Sequence, residues 1–139
     1  MAGSMSALPA MRDVASALAE QGIDAIVPTP DDDPETTSVE ALDKIKHDAS
    51  KAHMASICDE RTTALLVANV DRYGTPNYVG PNAFGEIAVA FATGRAIYLL
   101  QAMPEQYRSE LRAWGARCLN GDLSQFVNEL RSSETFELV

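Results

Sequence analysis

From Ala64 to Leu100 two short apolar runs flank a polar interval and an amphipathic stretch: ALLVANVDRYGTPNYVGPNAFGEIAVAFATGRAIYLL. Ala64–Asn69 has the length of a buried strand. Val70–Pro81 is rich in Gly, Pro, Asn and Asp and predicts a loop. Within Asn82–Thr93, Phe84, Ile87, Ala88 and Phe91 recur at helical spacing, with Asn82 as the expected N-cap and Gly94 as a left-handed stop. Ala96–Leu100 is the second apolar run. A strand, a crossover helix and a parallel strand make the unit of open α/β sheets, whose ligands bind beyond the carboxyl ends of the strands. The loop and the start of the helix are therefore expected at that edge.

The same patterning organises the rest of the chain. Pro9–Gln21 predicts a helix with the stripe Met11, Val14, Ala15 and Leu18, capped by Gly22. Ile23–Val27 reads as a strand ending at Pro28, and Thr29–Ser38 as a polar loop. The acids of that loop, Asp31, Asp32, Asp33 and Glu35, lack EF-hand spacing and read as a solvated surface. Val39 to about Ile57 predicts a helix with the stripe Val39, Leu42, Ile45, Ala49 and Ala52, N-capped by Ser38. His47 and His53 lie on it six residues apart, an offset that does not share a face and argues against a metal site. After a turn at Cys58–Thr63 and the central unit comes a loop, Gln101–Glu105. Glu105–Trp114 predicts a helix with Tyr107, Leu111 and Trp114 on one face, and Ala116–Leu119 a short strand. Asp122 caps a last helix with Gln125 as its capping-box partner and the stripe Leu123, Phe126, Val127 and Leu130. Glu134–Val139 has strand character. The sum is one α/β domain over residues 1–139, a sandwich around a mostly parallel sheet, without internal repeats.

Charge narrows the partners. Eleven basic and twenty acidic residues give a net charge of −9, which argues against a nucleic-acid polymer and against an anionic membrane surface. A small nucleotide remains compatible, because a few backbone N–H groups hold a phosphate without net positive charge. The apolar runs are too short to span a bilayer, and the N-terminus lacks a basic start followed by an apolar run. Two cysteines, Cys58 and Cys118, fit no zinc or CxxC spacing and read as reduced, partly buried thiols of a cytoplasmic protein.

Glu86 is the first candidate for chemistry. It is the single charge between Ala83 and Gly94, and it is expected near the first turn of its helix. There the helix dipole favours the carboxylate, which suits a nucleophile better than a general acid. A solvated helix-start glutamate is the plain alternative, favoured by the same electrostatics. Tyr78, Gly80 and Asn82 precede Glu86; Gly80 would let backbone approach a ligand closely, and Tyr78 either packs on the core or meets the carboxylate. Asn69 and Asp71, where the first apolar run ends, bind hydroxyls or shape a turn. Gly3, Ser4 and Ser6 form a hydroxyl-rich turn before the first helix, able to present donors to a sugar or phosphate; composition alone favours a frayed terminus there. No P-loop, dinucleotide fingerprint or nucleophile elbow occurs.

The segment NYVGPNAFGEIAVAFATGRAIYLL resembles the signature of the nucleoside 2-deoxyribosyltransferase-like superfamily, as does GSMS followed by AMRDVASALAEQGIDAIVP. The resemblance extends to about Leu100. It implies a flavodoxin-like three-layer αβα sandwich, with chemistry at the N-glycosidic bond of a nucleoside or nucleotide and no metal or organic cofactor. Carried over, Glu86 matches the glutamate that attacks the anomeric carbon, while Gly3, Ser4 and Ser6 match the turn lining the sugar or phosphate. Tyr78 and Asn82 lie in the loop beside the nucleophile. A homo-oligomer is implied, because family members often complete the site with a neighbour's residues. This chain departs from the pattern in three places. Only Met1 and Ala2 stand where the first strand is expected, and Thr135–Val139 is one segment that could fill the gap. Gly80 stands where an aspartate or serine is common. Thr62 and Thr63 stand where an aspartate often precedes LLVAN. A non-catalytic nucleotide-binding module and a ligand-free structural subunit are the alternative functions.

Overall fold

The computed structural model describes residues 1–29 and 38–137, with side chains up to 132. The acidic loop residues Asp31 to Glu35 and residues 138–139 lie outside them. A short 3-10 turn, Met5–Ala7, leads into α1 (Leu8–Glu20). Then follow α2 (Val39–Cys58), β1 (Ala64–Val67), α3 (Pro81–Ala92), β2 (Ala96–Leu99), α4 (Arg108–Ala113), β3 (Arg117–Cys118) and α5 (Leu123–Glu137). The strands form one parallel sheet in the order β1-β2-β3, with Ala64 opposite Ala96 and Val67 opposite Leu99. This is the strand–helix–strand unit expected from Ala64 to Leu100.

Alternation along the strands splits the core in two. Leu66, Tyr98 and Leu100 face Met11 and Leu18 of α1 and Phe126 and Val127 of α5. Leu65, Val67, Ile97 and Leu99 face Ile57 of α2, Ile87 and Ala90 of α3, and Leu111 of α4. Helices therefore cover both faces of the sheet. Among the described residues, no helix is long and apolar enough to cross a membrane.

Several elements differ from expectation, each for a local reason. Ile23–Val27 joins no ladder. Its odd positions Ile23, Ala25 and Val27 pack on the core while Ile26 points outward, so it is extended and alternating without a full-length neighbour to pair with. The position beside β1 is taken instead by Ala2, bridged in parallel to Val67. Glu134–Glu137 of the segment expected to be a strand are helical, because α5 runs through to Glu137. The helix expected from Glu105 starts at Arg108, because Tyr107 adopts a left-handed φ of 65°. On α2 the inward line is Ile45, Ala49, His53 and Ile57, and Val39, Leu42 and Ala52 face solvent. Cys58 is exposed rather than partly buried.

Caps hold the elements in place. Ser38 Oγ accepts from Ala41 N at 3.2 Å, as expected for an N-cap. Asp122 accepts from Ser124 N at 2.9 Å, but Gln125 reaches forward to Glu129 at 3.1 Å instead of closing a capping box. Gly94, at φ 76°, terminates α3, and the next residue secures α2. Arg95 donates Nε to Ile57 O at 3.0 Å and Nη2 to the carbonyls of Cys58 and Asp59 at 3.1 and 3.0 Å. One guanidinium thus satisfies the orphan carbonyls at the end of α2 and opposes the negative end of its dipole. Arg95→Ala is expected to lower stability by about 2 kcal/mol, read as a fall in urea midpoint at constant slope. Arg95→Lys recovers less than half, because a point ammonium cannot span three carbonyls.

Tyr98 ties the sheet to α5. Its hydroxyl donates to Glu129 Oε2 at 2.6 Å, and burial, followed by this bond, pushes the phenol up to about 12. The raised value means that the folded state favours the neutral phenol. The associated stability is complete below pH 10 and is lost as pH rises from 10 to 12. Melting temperature is expected to fall across that window, and Tyr98→Phe flattens the fall. Absorbance of tyrosinate should show one of the four tyrosines ionising near pH 12.

Candidate functional site

The carboxyl edge of the sheet is assembled from four pieces of chain. At the first, Ala2 N donates to Leu66 O at 2.9 Å and accepts at its own carbonyl from Ala68 N at 2.8 Å. Gly3 follows in a tight place, since a Cβ would stand 3.2 Å from Ala68 O. Ser4 and Ser6 then pair their hydroxyls at 2.7 Å on the surface.

At the second piece, the end of β1, Asn69 is 0% exposed. Its Nδ2 donates to Ala102 O and its Oδ1 accepts from Gln101 N, both at 2.8 Å. Asn69 thus fastens the chain leaving β1 to the chain leaving β2. Asp71 Oδ1 accepts from Asn77 N at 2.9 Å and closes the loop on itself. Within that loop Tyr73 and Tyr78 pack edge to face at 6.0 Å, with Arg72 4.3 Å above the Tyr73 ring. The third piece, Gly80, lies against the Tyr78 hydroxyl, which a Cβ would meet at 3.3 Å.

Gly80, not Asn82, is the N-cap of α3, and Pro81 takes the first helical position, where its missing N–H costs nothing. Asn82 is exposed on the first turn. The N-cap therefore lies two residues earlier than expected, and Glu86 falls in the second turn of the helix with no acid in the first. The dipole acts mainly within the first turn, so Glu86 lies beyond its main reach.

The fourth piece supplies a different partner. His53 Nδ1 lies 2.7 Å from Glu86 Oε1, and the two side chains are only 11% and 12% exposed. The Met1 ammonium adds an attractive charge near Glu86, although burial outweighs that attraction and holds the amino group's pKa below its usual value. Oε1 is thus the oxygen that meets the imidazole, and among the described residues Oε2 makes no hydrogen bond.

His53 was invisible to comparison with His47, which is exposed and pairs with Asp48 at 3.1 Å. The available signal was its place on the line Ala49, His53, Ile57, a polar residue on an inward stripe. Among the described residues no group of three or more His, Cys, Asp or Glu is arranged to hold a metal. Family models, curated proteins and solved structures contain no match to this chain.

Proposed function

We propose that this chain cleaves or transfers the N-glycosidic bond of a nucleoside or nucleoside monophosphate, with Glu86 as nucleophile. The observation that supports it is a nearly buried carboxylate paired with His53 through Oε1 at 2.7 Å, with Oε2 making no hydrogen bond among the described residues. Oε2 attacks the anomeric carbon, the C–N bond breaks, and its electron pair leaves with the base, which takes up a proton. Water or an incoming base then displaces the carboxylate, the two-step logic of retaining glycoside hydrolysis. On this reading the order Ile23–Val27, Met1–Ala2, β1, β2, β3 corresponds to the 2-1-3-4-5 sheet of a flavodoxin-like three-layer sandwich, with its first strands much reduced. The Gly3–Ser6 turn then meets the sugar or phosphate, and Tyr78 and Asn82 flank the reacting carbon. The reading carries with it a cytoplasmic homo-oligomer without metal or organic cofactor. Exposed Val39, Leu42 and Phe91 are compatible with contacts between copies.

The alternative is a nucleotide-binding module without turnover. Asp71, the other carboxylate of this edge singled out by sequence, is engaged with Asn77 N, and Gly80 stands where the resemblance puts an acid or serine. Incubation with deoxy- and ribonucleosides and their monophosphates, followed by chromatography for free base, separates the two. Release of base from at least one substrate supports catalysis. A thermal shift with a nucleotide but no release supports the module.

A further inference from the structure

The loop between β1 and α3 holds an exposed ring in a strained backbone conformation. Tyr73 sits at φ 55°, in the left-handed region, and is 77% exposed. A bulky side chain is disfavoured there, whereas glycine or asparagine is tolerated. At that exposure burial contributes little to offset the strain. The fold itself therefore draws little from a tyrosine at this position.

The ring is nonetheless firmly held. Arg72 N donates to Thr75 O at 3.1 Å and Thr75 N donates to Arg72 O at 2.8 Å, with Gly74 at φ 69° in the turn between them. Asp71 Oδ1 accepts from Asn77 N and closes the base of the loop. Arg72 lays its guanidinium 4.3 Å from the Tyr73 ring centre and donates to the Tyr73 hydroxyl. The same guanidinium is 5.8 Å from the Tyr78 ring centre, and the two ring centres are 6.0 Å apart. Seen from Tyr73, Arg72 and Tyr78 therefore lie well under a right angle apart. Both contacts fall to one side of the ring, and its opposite face is left to solvent.

We propose that the open face of Tyr73 is a stacking platform for the purine base of a nucleoside monophosphate, an inference that rests on the nucleoside reading of the site. Tyr78 links the platform to that site. Its hydroxyl lies against Gly80, the N-cap of α3, and α3 carries Glu86. Every base has a π face, so stacking on an aromatic ring is open to all of them. Arg72 makes it selective. Its charge draws the phenol's π density toward the covered face, and the far face then favours an electron-rich partner. A bicyclic purine also overlaps more of the ring than a pyrimidine does. Because the loop bonds and Arg72 already fix the ring, little freedom is lost when a base settles on it.

The test titrates deoxy- and ribonucleoside monophosphates of adenine, guanine, cytosine and uracil into the native chain, Tyr73→Phe and Tyr73→Asn. Affinity and the ring-proton resonances of Tyr73 are followed together. Purine forms are expected to move those protons upfield and to bind about tenfold more tightly than pyrimidine forms. Tyr73→Phe keeps the purine affinity, and Tyr73→Asn weakens it about tenfold. Asparagine tolerates the left-handed backbone, so the melting temperature of that variant should not fall, which separates lost stacking from a damaged fold. The resonance shift is read on the native chain and needs no variant. Unchanged purine affinity in Tyr73→Asn would overturn the platform, as would binding that leaves the Tyr73 ring protons unmoved, and base release by the native chain would survive either result. Stacking on Tyr73 without any base release supports the platform and removes the nucleophile. Absence of binding by every nucleotide removes both. A shift caused by N-acetyltryptophanamide and by no purine would assign the ring to a protein contact and overturn the proposal as well.

Discussion

Glu86→Gln is expected to lose release of free base by about a thousandfold or more while leaving the unfolding midpoint nearly unchanged. The amide is isosteric, so the packing contact between α2 and α3 survives. What disappears is the negative charge on Oε2, and an amide is a poor nucleophile. Glu86→Ala makes a sharper distinction. It leaves His53 buried without this acceptor, which costs about 1–3 kcal/mol, and it leaves space beside the anomeric carbon. Azide supplied to that variant should restore turnover and yield a glycosyl azide. A purely structural glutamate would show the stability loss without rescue. Undiminished release by Glu86→Gln would remove the nucleophile from the mechanism.

The second large effect is structural. Asn69→Ala is expected to destabilise the fold by about 3 kcal/mol, seen as a lower denaturant midpoint at unchanged slope. Both polar atoms of this side chain are engaged with backbone groups, the N–H of Gln101 and the carbonyl of Ala102. The side chain is 0% exposed, so water does not readily take its place. Asn69→Asp should do no better than Ala. Its carboxylate still accepts from Gln101, but it sets a second negative oxygen against Ala102 O. If Asp matched the native residue, the Ala102 contact would carry no weight. Because Asn69 joins the two strand ends, its loss should also speed amide exchange at Gln101.

The periodicity from Ala64 to Leu100 carried the strand–helix–strand unit because each element there is written locally. Ser38 and Gly94 marked helix ends for the same reason: a cap acts within a turn of itself. Pro81 after Gly80 was also a local signal, and a helix starting on proline would have placed Glu86 in the second turn from the outset. Ile23–Val27 shows the limit. Its alternation is that of a strand, yet a ladder depends on a neighbour elsewhere in the chain, and what it meets there is a single hydrogen bond from Met1 N to Ile26 O. The left-handed Tyr107 has no marker in its residue type. His53 and Glu86 are separated by α2's end, β1 and a loop, so their contact belongs to packing and not to spacing. Asn69 and Asp71 were read correctly as to place, but residue type alone could not choose between ligand and turn. Their bonds show both engaged with backbone N–H groups.

The aromatic row on the outer side of α3 has an optical consequence. Phe84 stacks on Tyr107 at 4.1 Å and on Trp114 at 5.4 Å, and Trp114 stacks again on Phe91 at 5.2 Å. Trp114 is the single tryptophan of the chain, so selective excitation of indole lights one known place. That place leans on two phenylalanines of the helix that carries Glu86, one of them two residues away from it. A displacement of α3 changes the indole's surroundings and hence its emission, and a residue that stays still is silent. The molecule therefore carries an intrinsic fluorophore packed against its candidate site helix, and titration with unlabelled nucleotides can be followed by emission alone.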